Sequence, residues 1–309
     1  MSIANLQQVN AVLSHIARGY KFQNMVGTEV CPVVYHDVEQ GQVPVFPDEM
    51  FQLGNTVRAL RAATNEIIPE ALTNVTYAMA EHDAAFPMDY REINASARIH
   101  RRQKYGARVA LSRIMLRLEY EIATLVTTAS SYDSAHKTTL SGSTQWSHAS
   151  STPIADIETA RQTIMSAIGQ VPNVLLLGKP AFKALKTNVQ VLSILKTTAD
   201  KVVTPQLLAQ IFEVDKVVVG TAVQKTNAAV ASDIWGDFAL LTYSPQPSSG
   251  AMLDESEPAF GYTLRYDGYP LVDEYSSADQ KTKFVRVTDM FKPIILGANA
   301  GYLWSDCVA

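Results

Sequence analysis

Cysteine is almost missing from this 309-residue chain, which has only Cys31 and Cys307. Two thiols give no disulfide framework and fit a reducing cytosol. Long apolar runs are missing as well. None approaches the roughly 18 residues of a membrane-spanning helix, and the opening MSIANLQQVNAVLSHIARGY is too polar for a secretory signal. The chain therefore reads as a soluble protein made in the cytoplasm, with no membrane partner. Nor is there an excess of positive charge: 26 Lys and Arg stand against 30 Asp and Glu, a formal charge of −4. A protein that coats nucleic acid is expected to carry a basic stripe. Proline is absent between Pro87 and Pro153, and from Tyr90 onward the only glycine before Gly142 is Gly106. That leaves room for one long helix.

The helix is written into Tyr90 to Tyr132. Leu111, Ile114, Met115, Leu118, Ile122, Leu125 and Val126 recur at spacings of three and four, which makes one apolar stripe. The pattern predicts a helix from about Gln103 to Ala129, roughly 40 Å long at 1.5 Å per residue. Arg113, Arg117 and Glu121 fall on another face, and Arg117 with Glu121 can pair for a few tenths of a kcal/mol. With 47% hydrophobic residues, the chain can bury one sizeable core or two smaller ones.

Around this helix the segments differ in kind. Residues 4–18 predict a helix with Leu6, Val9, Val12, Leu13 and Ile16 as its stripe and Gly19 as its stop. Gln42–Phe46 reads as a strand. Gln52 to Pro69 is polar and lacks periodicity, and Val75, Tyr77 and Met79 then alternate as in a half-buried strand. Two strands joined by so long a polar segment make an extended hairpin. A lone ribbon is marginal in water, so a neighbour, most simply another subunit, is expected to hold it.

Ser130 to Pro153 reads as a solvated boundary loop rich in Ser, Thr, Gly and His. A helix follows, with Thr152 as its cap, Pro153 at its first position, Ile157, Ala160, Ile164 and Ile168 as its core face, and Pro172 ending it. Val174–Gly178 and Lys216–Val219 read as buried strands. Helices at Lys179–Thr187, Val189–Leu195 and Pro205–Phe212 lie between them, forming an α/β block. The remainder is mainly strands: Phe238–Tyr243, Phe260–Leu264, Phe284–Asp289 and Pro293–Leu296. There is no internal repeat.

Catalytic constellations fail one by one. Gly169 to Lys179 echoes a phosphate loop, but Pro180 stands where a hydroxyl should hold magnesium. His136 and His148 flank Ser141 and Ser143 in the boundary loop, where no strand–turn–helix elbow presents a nucleophile. In a strand, Glu81 and Asp83 share a face while His82 points away, which argues against a metal site. The run His100-Arg101-Arg102-Gln103-Lys104 and the pair Arg58 and Arg61 could touch phosphate, but read better as subunit ion-pair patches or solvated turns. No acid–base pair, metal cluster or glycine-rich cradle emerges. The expectation is a non-enzyme without cofactor or metal.

The order of segments resembles the tailed-phage major capsid proteins with the Hong Kong 97-type fold. The resemblance covers nearly the whole chain. It rests on Thr76–Glu92 running into a polar helix start, Glu119–Ala123 near the end of the long helix, and the tryptophan-containing loop before TPIADIETA (Thr152–Ala160). Further matches are PNVLLLGKPAFKAL (Pro172–Leu185), Ile211–Val223, Asp233–Pro245, Pro258–Leu264 and the closing FVRVTDMFKPIILGANAGYLW.

The resemblance implies an α+β capsid fold with an N-terminal arm at 1–33 and an extended β-hairpin loop at 34–86. It further implies a peripheral domain with the spine helix at 87–151, an axial domain at 152–271, and C-terminal strands at 272–309 returning to the peripheral domain. It implies hexamers and pentamers in an icosahedral shell around double-stranded DNA, bound without sequence specificity, with scaffold, portal and decoration proteins as partners. The virion capsid would be its place, after assembly in the host bacterial cytoplasm. Arg58, Arg61, Glu66, Arg101 and Arg102 are the expected subunit-interface residues. An encapsulin-like nanocompartment holding cargo enzymes is the alternative within the same fold. Lysine–asparagine cross-linking, known in some members, is not expected, because the loop has Asn55, Asn65 and Asn74 but no lysine between Lys21 and Lys104. No long scaffolding-like extension is expected before the arm, so any scaffold is expected to be a separate protein or a cleaved precursor.

Overall fold

The computed structural model describes residues 9–20, 22, 24–45, 57–60, 64–65, 74–95, 99–195, 202–225, 230–245 and 259–309. In chain order the first half holds helices α1 (Ala11–Arg18) and α2 (Gly27–Val30), strands β1 (Val33–His36), β2 (Gln40–Pro44), β3 (Asn74–Ala78) and β4 (Ala80–Asp89), and helices α3 (Tyr90–Ala95) and α4 (Ile99–Val126). Next come β5 (Lys137–Thr139), α5 (Pro153–Ile168), β6 (Val174–Gly178), α6 (Lys179–Thr187), α7 (Val189–Leu195), α8 (Pro205–Ile211), β7 (Lys216–Gly220), β8 (Val223–Lys225) and β9 (Ala231–Asp233). The chain closes with β10 (Ala239–Thr242), β11 (Gly261–Tyr266), β12 (Leu271–Ser277), β13 (Thr282–Ile295) and β14 (Gly301–Ser305).

Two five-stranded sheets organise the molecule. The first runs β1-β11-β13-β12, with β4 on the opposite side of β13. The second runs β5-β14-β10-β6-β7, and β2-β3 and β8-β9 form separate ribbons. The sheets do not follow the expected domain boundaries. β11, within 152–271, lies in the first sheet, and β14, within 272–309, pairs with β10 in the second. The C-terminal segment therefore does not all return to one sheet: β13 completes the first and β14 the second.

Helix α4 has 28 residues, about 42 Å at 1.5 Å per residue. It starts four residues before the expected point because the basic run continues the helix, with Arg102 paired to Glu92 at 2.6 Å. It stops three residues early, where threonine hydroxyls turn back onto the backbone: Thr124 to Tyr120 O, Thr127 to Ala123 O and Thr128 to Thr124 O. Leu111, Ile114, Leu118, Ile122 and Val126 are buried as the stripe requires. The Arg117–Glu121 pair forms at 2.7 Å. Gly106 lets the helix approach β4, since a Cβ there would stand 2.8 Å from the Phe86 ring.

Other expectations meet corrections. The segment 130–153 is folded rather than solvated. Its β5 pairs with β14, Trp146 is fully buried, and His136 is buried with Nδ1 3.1 Å from Gly301 O. Asn188 holds it down by donating to Trp146 O and to Ser151 Oγ. His148 is exposed, as expected. Thr152 makes no side-chain cap, and Gly169, at φ 63°, ends α5 before Pro172 is reached. The two expected strands at 284–296 are one, β13, fourteen residues long. The strand β12, not foreseen, lies beside it.

Candidate assembly surfaces

The arm is tied down along an edge. The outer side of β12 would present unpaired backbone groups, a template for unwanted pairing. Asn10 N–H donates to Val272 O at 2.9 Å, and Ser14 Oγ accepts from Val272 N–H at 2.9 Å. Glu274 collects Asn10 Nδ2 at 3.1 Å, Gln103 Nε2 at 3.1–3.2 Å, and the Lys283 ammonium. Asn10 also caps α1 through Leu13 N–H. This seating turns α1 away from the expected stripe. Leu13, Ser14 and Ala17 are buried, while Val9, Val12 and Ile16 are 45%, 67% and 40% exposed. Leu6 lies outside the described residues.

The second anchor of the arm is Glu119, buried in α4. Its carboxylate accepts from Val26 N–H at 2.9 Å, Gly27 N–H at 2.8 Å and Trp235 Nε1–H at 2.7 Å. One side chain thus joins the arm, the long helix and the fully buried Trp235 before the second sheet. Burial pushes the carboxyl up from its ordinary value, and the three donors pull it part of the way back. Gly27 is required here, because a Cβ would stand 2.8 Å from Glu119 Oε2 and 3.0 Å from Ile122 Cδ1. Burial, then the nearby Glu119 charge, pushes the Cys31 thiol up to about 12. That thiol is inert. Sequence reasoning passed over Glu119, although an acid four residues after Met115 and three before Ile122 sits inside the apolar stripe. That placement was the available signal.

In the first sheet, Arg286 forks onto Asp273 at 3.0 and 2.7 Å. Arg265 lies 3.1 Å from the fully buried Asp289. Burial raises the Asp289 carboxyl, and the Arg265 charge opposes the rise. Among the described residues no group of three or more His, Cys, Asp or Glu could hold a metal ion, and no helix is long and apolar enough to cross a membrane.

The hairpin has two characters. At its base β2 and β3 pair antiparallel, from Gln40↔Ala78 to Pro44↔Asn74. Val43, Tyr77 and Met79 pack into a small core with Val34, Leu264 and Ile294 of its own sheet region. Tyr77 lies on Gly41, where a Cβ would stand 2.9 Å from its hydroxyl. The base therefore does not wait for a neighbour, contrary to expectation. Farther out, Val57 and Leu60 are 80% and 92% exposed. Of the expected interface residues, Arg58 lies in that exposed stretch, and Arg61 and Glu66 fall outside the described residues. Arg101 is exposed on α4, whereas Arg102 has its partner, Glu92, within the chain.

The protein-family profile for "Phage major capsid protein E" matches residues 92–271. The chain is also 37% identical to the major capsid protein of Burkholderia phage BcepMu over 98% of both chains. This chain belongs to the phage major capsid protein family. Among solved structures, a phage-related protein of Bordetella bronchiseptica superposes with a TM-score of 0.83 at 30% identity, covering 97% of this chain and 98% of that one. The putative capsid protein of an Escherichia coli prophage follows the same fold at 12% identity, TM-score 0.57, over 96% of this chain and 98% of its own. The fold is that of the Hong Kong 97-type capsid proteins. The encapsulin alternative gains no comparable support, because the family profile and the curated relative are both phage major capsid proteins.

Proposed function

We propose that this capsid protein builds its shell from hexamers and pentamers, in which the outer part of the hairpin, within 34–86, lies across a neighbouring copy. The observation that carries the reading is the exposure of Val57 and Leu60, at 80% and 92%, beyond a base that is fixed to its own sheet. Apolar side chains so exposed on a supported ribbon are expected to find cover in assembly. Arg58, Arg61 and Glu66 would form ion pairs across that contact, with Arg101 and Arg102 at the end of the long helix as a second patch. The arm (1–33), peripheral domain (87–151), axial domain (152–271) and C-terminal strands (272–309) are the working units. Scaffold, portal and decoration proteins and sequence-independent contact with packaged DNA complete the proposed set of partners, with assembly in the host cytoplasm and the virion capsid as destination.

Negative-stain microscopy of the purified chain, alone and at raised concentration, tests the reading. Closed shells or isolated rings of six and five subunits are expected. The hairpin contact is tested by V57D/L60D: shells unchanged in yield and form would overturn it.

A further inference from the structure

The sequence between Glu92 and Glu119 contains no Asp or Glu, while Ile99–Leu118 carries six Lys or Arg. Two of these cations, Lys104 and Arg108, are exposed on the side of α4 beside the arm. Between α1 and α4 lies a cleft of about 140 Å³, with Ile16 and Tyr20 on one wall and Lys104 and Arg108 on the other. Leu13 and Leu111 close its floor. The Arg108 guanidinium sits 4.9 Å over the Tyr20 ring. Neither Lys104 nor Arg108 forms an ion pair among the described residues. Val9, Val12 and Ile16, at i, i+3 and i+7, continue the apolar surface along α1, which itself carries no acid.

We propose that this face docks an acidic amphipathic helix of a second protein. The chemistry narrows the occupant. The nearby acid, Glu274, is already taken by Asn10, Gln103 and Lys283, and a rim of cations without an ion-pair partner calls for an anionic one. An apolar stripe spaced at three and four residues beside a cleft fits the apolar face of a helix. Nucleic acid would answer the charges but leave Val12 and Ile16 in water. A second copy of this chain is a poor match among the described residues. Asp156 on α5 is held by Trp146 Nε1, and Glu158 is engaged by Arg161, while α1 and α4 are basic. This inference goes beyond the shell reading and does not depend on it.

The test uses the full chain and two synthetic amphipathic peptides with the same leucine stripe, one flanked by Glu and one by Lys, followed by fluorescence anisotropy. The Glu-flanked peptide is expected to bind at least about ten-fold more tightly than the Lys-flanked one, and to weaken as salt is raised. K104E/R108E should reduce that affinity about ten-fold or more while preserving the circular dichroism spectrum. K104E alone, which leaves the Arg108–Tyr20 stacking in place, guards against a folding defect and should act in the same direction. Equal binding of both peptides, or no binding of the acidic one, overturns the proposal. So does displacement of that peptide by short duplex DNA, since nucleic acid would then own the face. If K104E/R108E abolishes shells or rings formed without peptide, the face is covered by a second copy, and the proposal fails while the capsid reading stands.

Discussion

Two regions of this capsid protein are built on opposite principles. At Glu119 one buried carboxylate satisfies three donors from the arm and the Trp235 segment, and a glycine is required to make room for it. At the outer hairpin, Val57 and Leu60 stand almost wholly in solvent. The first region is complete within the chain. The second leaves apolar side chains exposed. On the proposed reading, the junction fixes the shape that each copy brings, and the exposed segment is where a neighbouring copy lies.

The contrast can be broken most severely at the junction. E119A would leave Val26 N–H, Gly27 N–H and Trp235 Nε1–H buried without acceptors, and should cost about 4 kcal/mol in urea unfolding. G27A comes next. Its methyl must displace Glu119 or Ile122, for about 2 kcal/mol, with the arm becoming more accessible to protease. A pH series comparing the natural chain with E119Q sharpens the electrostatics. Burial holds the folded carboxyl above its unfolded value. Its contribution to stability is therefore fully present below the ordinary glutamate value of about 4.3 and is lost as pH rises through the folded value. The advantage of Glu119 over Gln should shrink as pH rises; an advantage that grows would mean the three donors outweigh burial. The smallest effect on stability is expected at the hairpin, where V57D/L60D should shift unfolding by less than about 0.5 kcal/mol while removing closed shells from micrographs. A loss of monomer stability well above that figure would show that Val57 and Leu60 are packed within their own subunit.

Much of the fold was legible before any coordinates. The stripe from Leu111 to Val126 announces α4, the alternation at Val75, Tyr77 and Met79 announces β3, and VLLLG announces a buried strand, because local periodicity reports directly on which side of an element is dry. The 130–153 segment was misread for a physical reason. Its Ser, Thr and His residues are those of a loop, and only its pairing with β14 and the contacts from Asn188 turn it into folded structure. The same reasoning placed α1's stripe on the wrong residues. Val12 and Ile16 look like core by spacing, but Ser14 is the side chain that β12 needs at its edge.

The candidate surfaces divide in the same way. Arg58 and Arg101, expected at the interface from their polar, aperiodic or basic settings, are exposed. Arg102 could not be distinguished from them, because its partner Glu92 lies ten positions earlier, on α3. Glu119 was visible as an acid within an apolar stripe, but its role was not, since two of its donors come from residues more than ninety positions away and a third from residue 235.

The sequence by itself determined the main elements: a long helix, a short helix before it, a pair of strands and an α/β block, in an order that resembles phage shell proteins. Periodicity and the placement of glycine and proline are local properties, and they suffice for that. Tertiary structure alone decided which strands share a sheet, so that β11 and β14 cross the expected boundaries, and which apolar residues stay wet. Burial is a property of what lies opposite, and only the folded chain shows that Val12, Ile16, Val57 and Leu60 stay exposed.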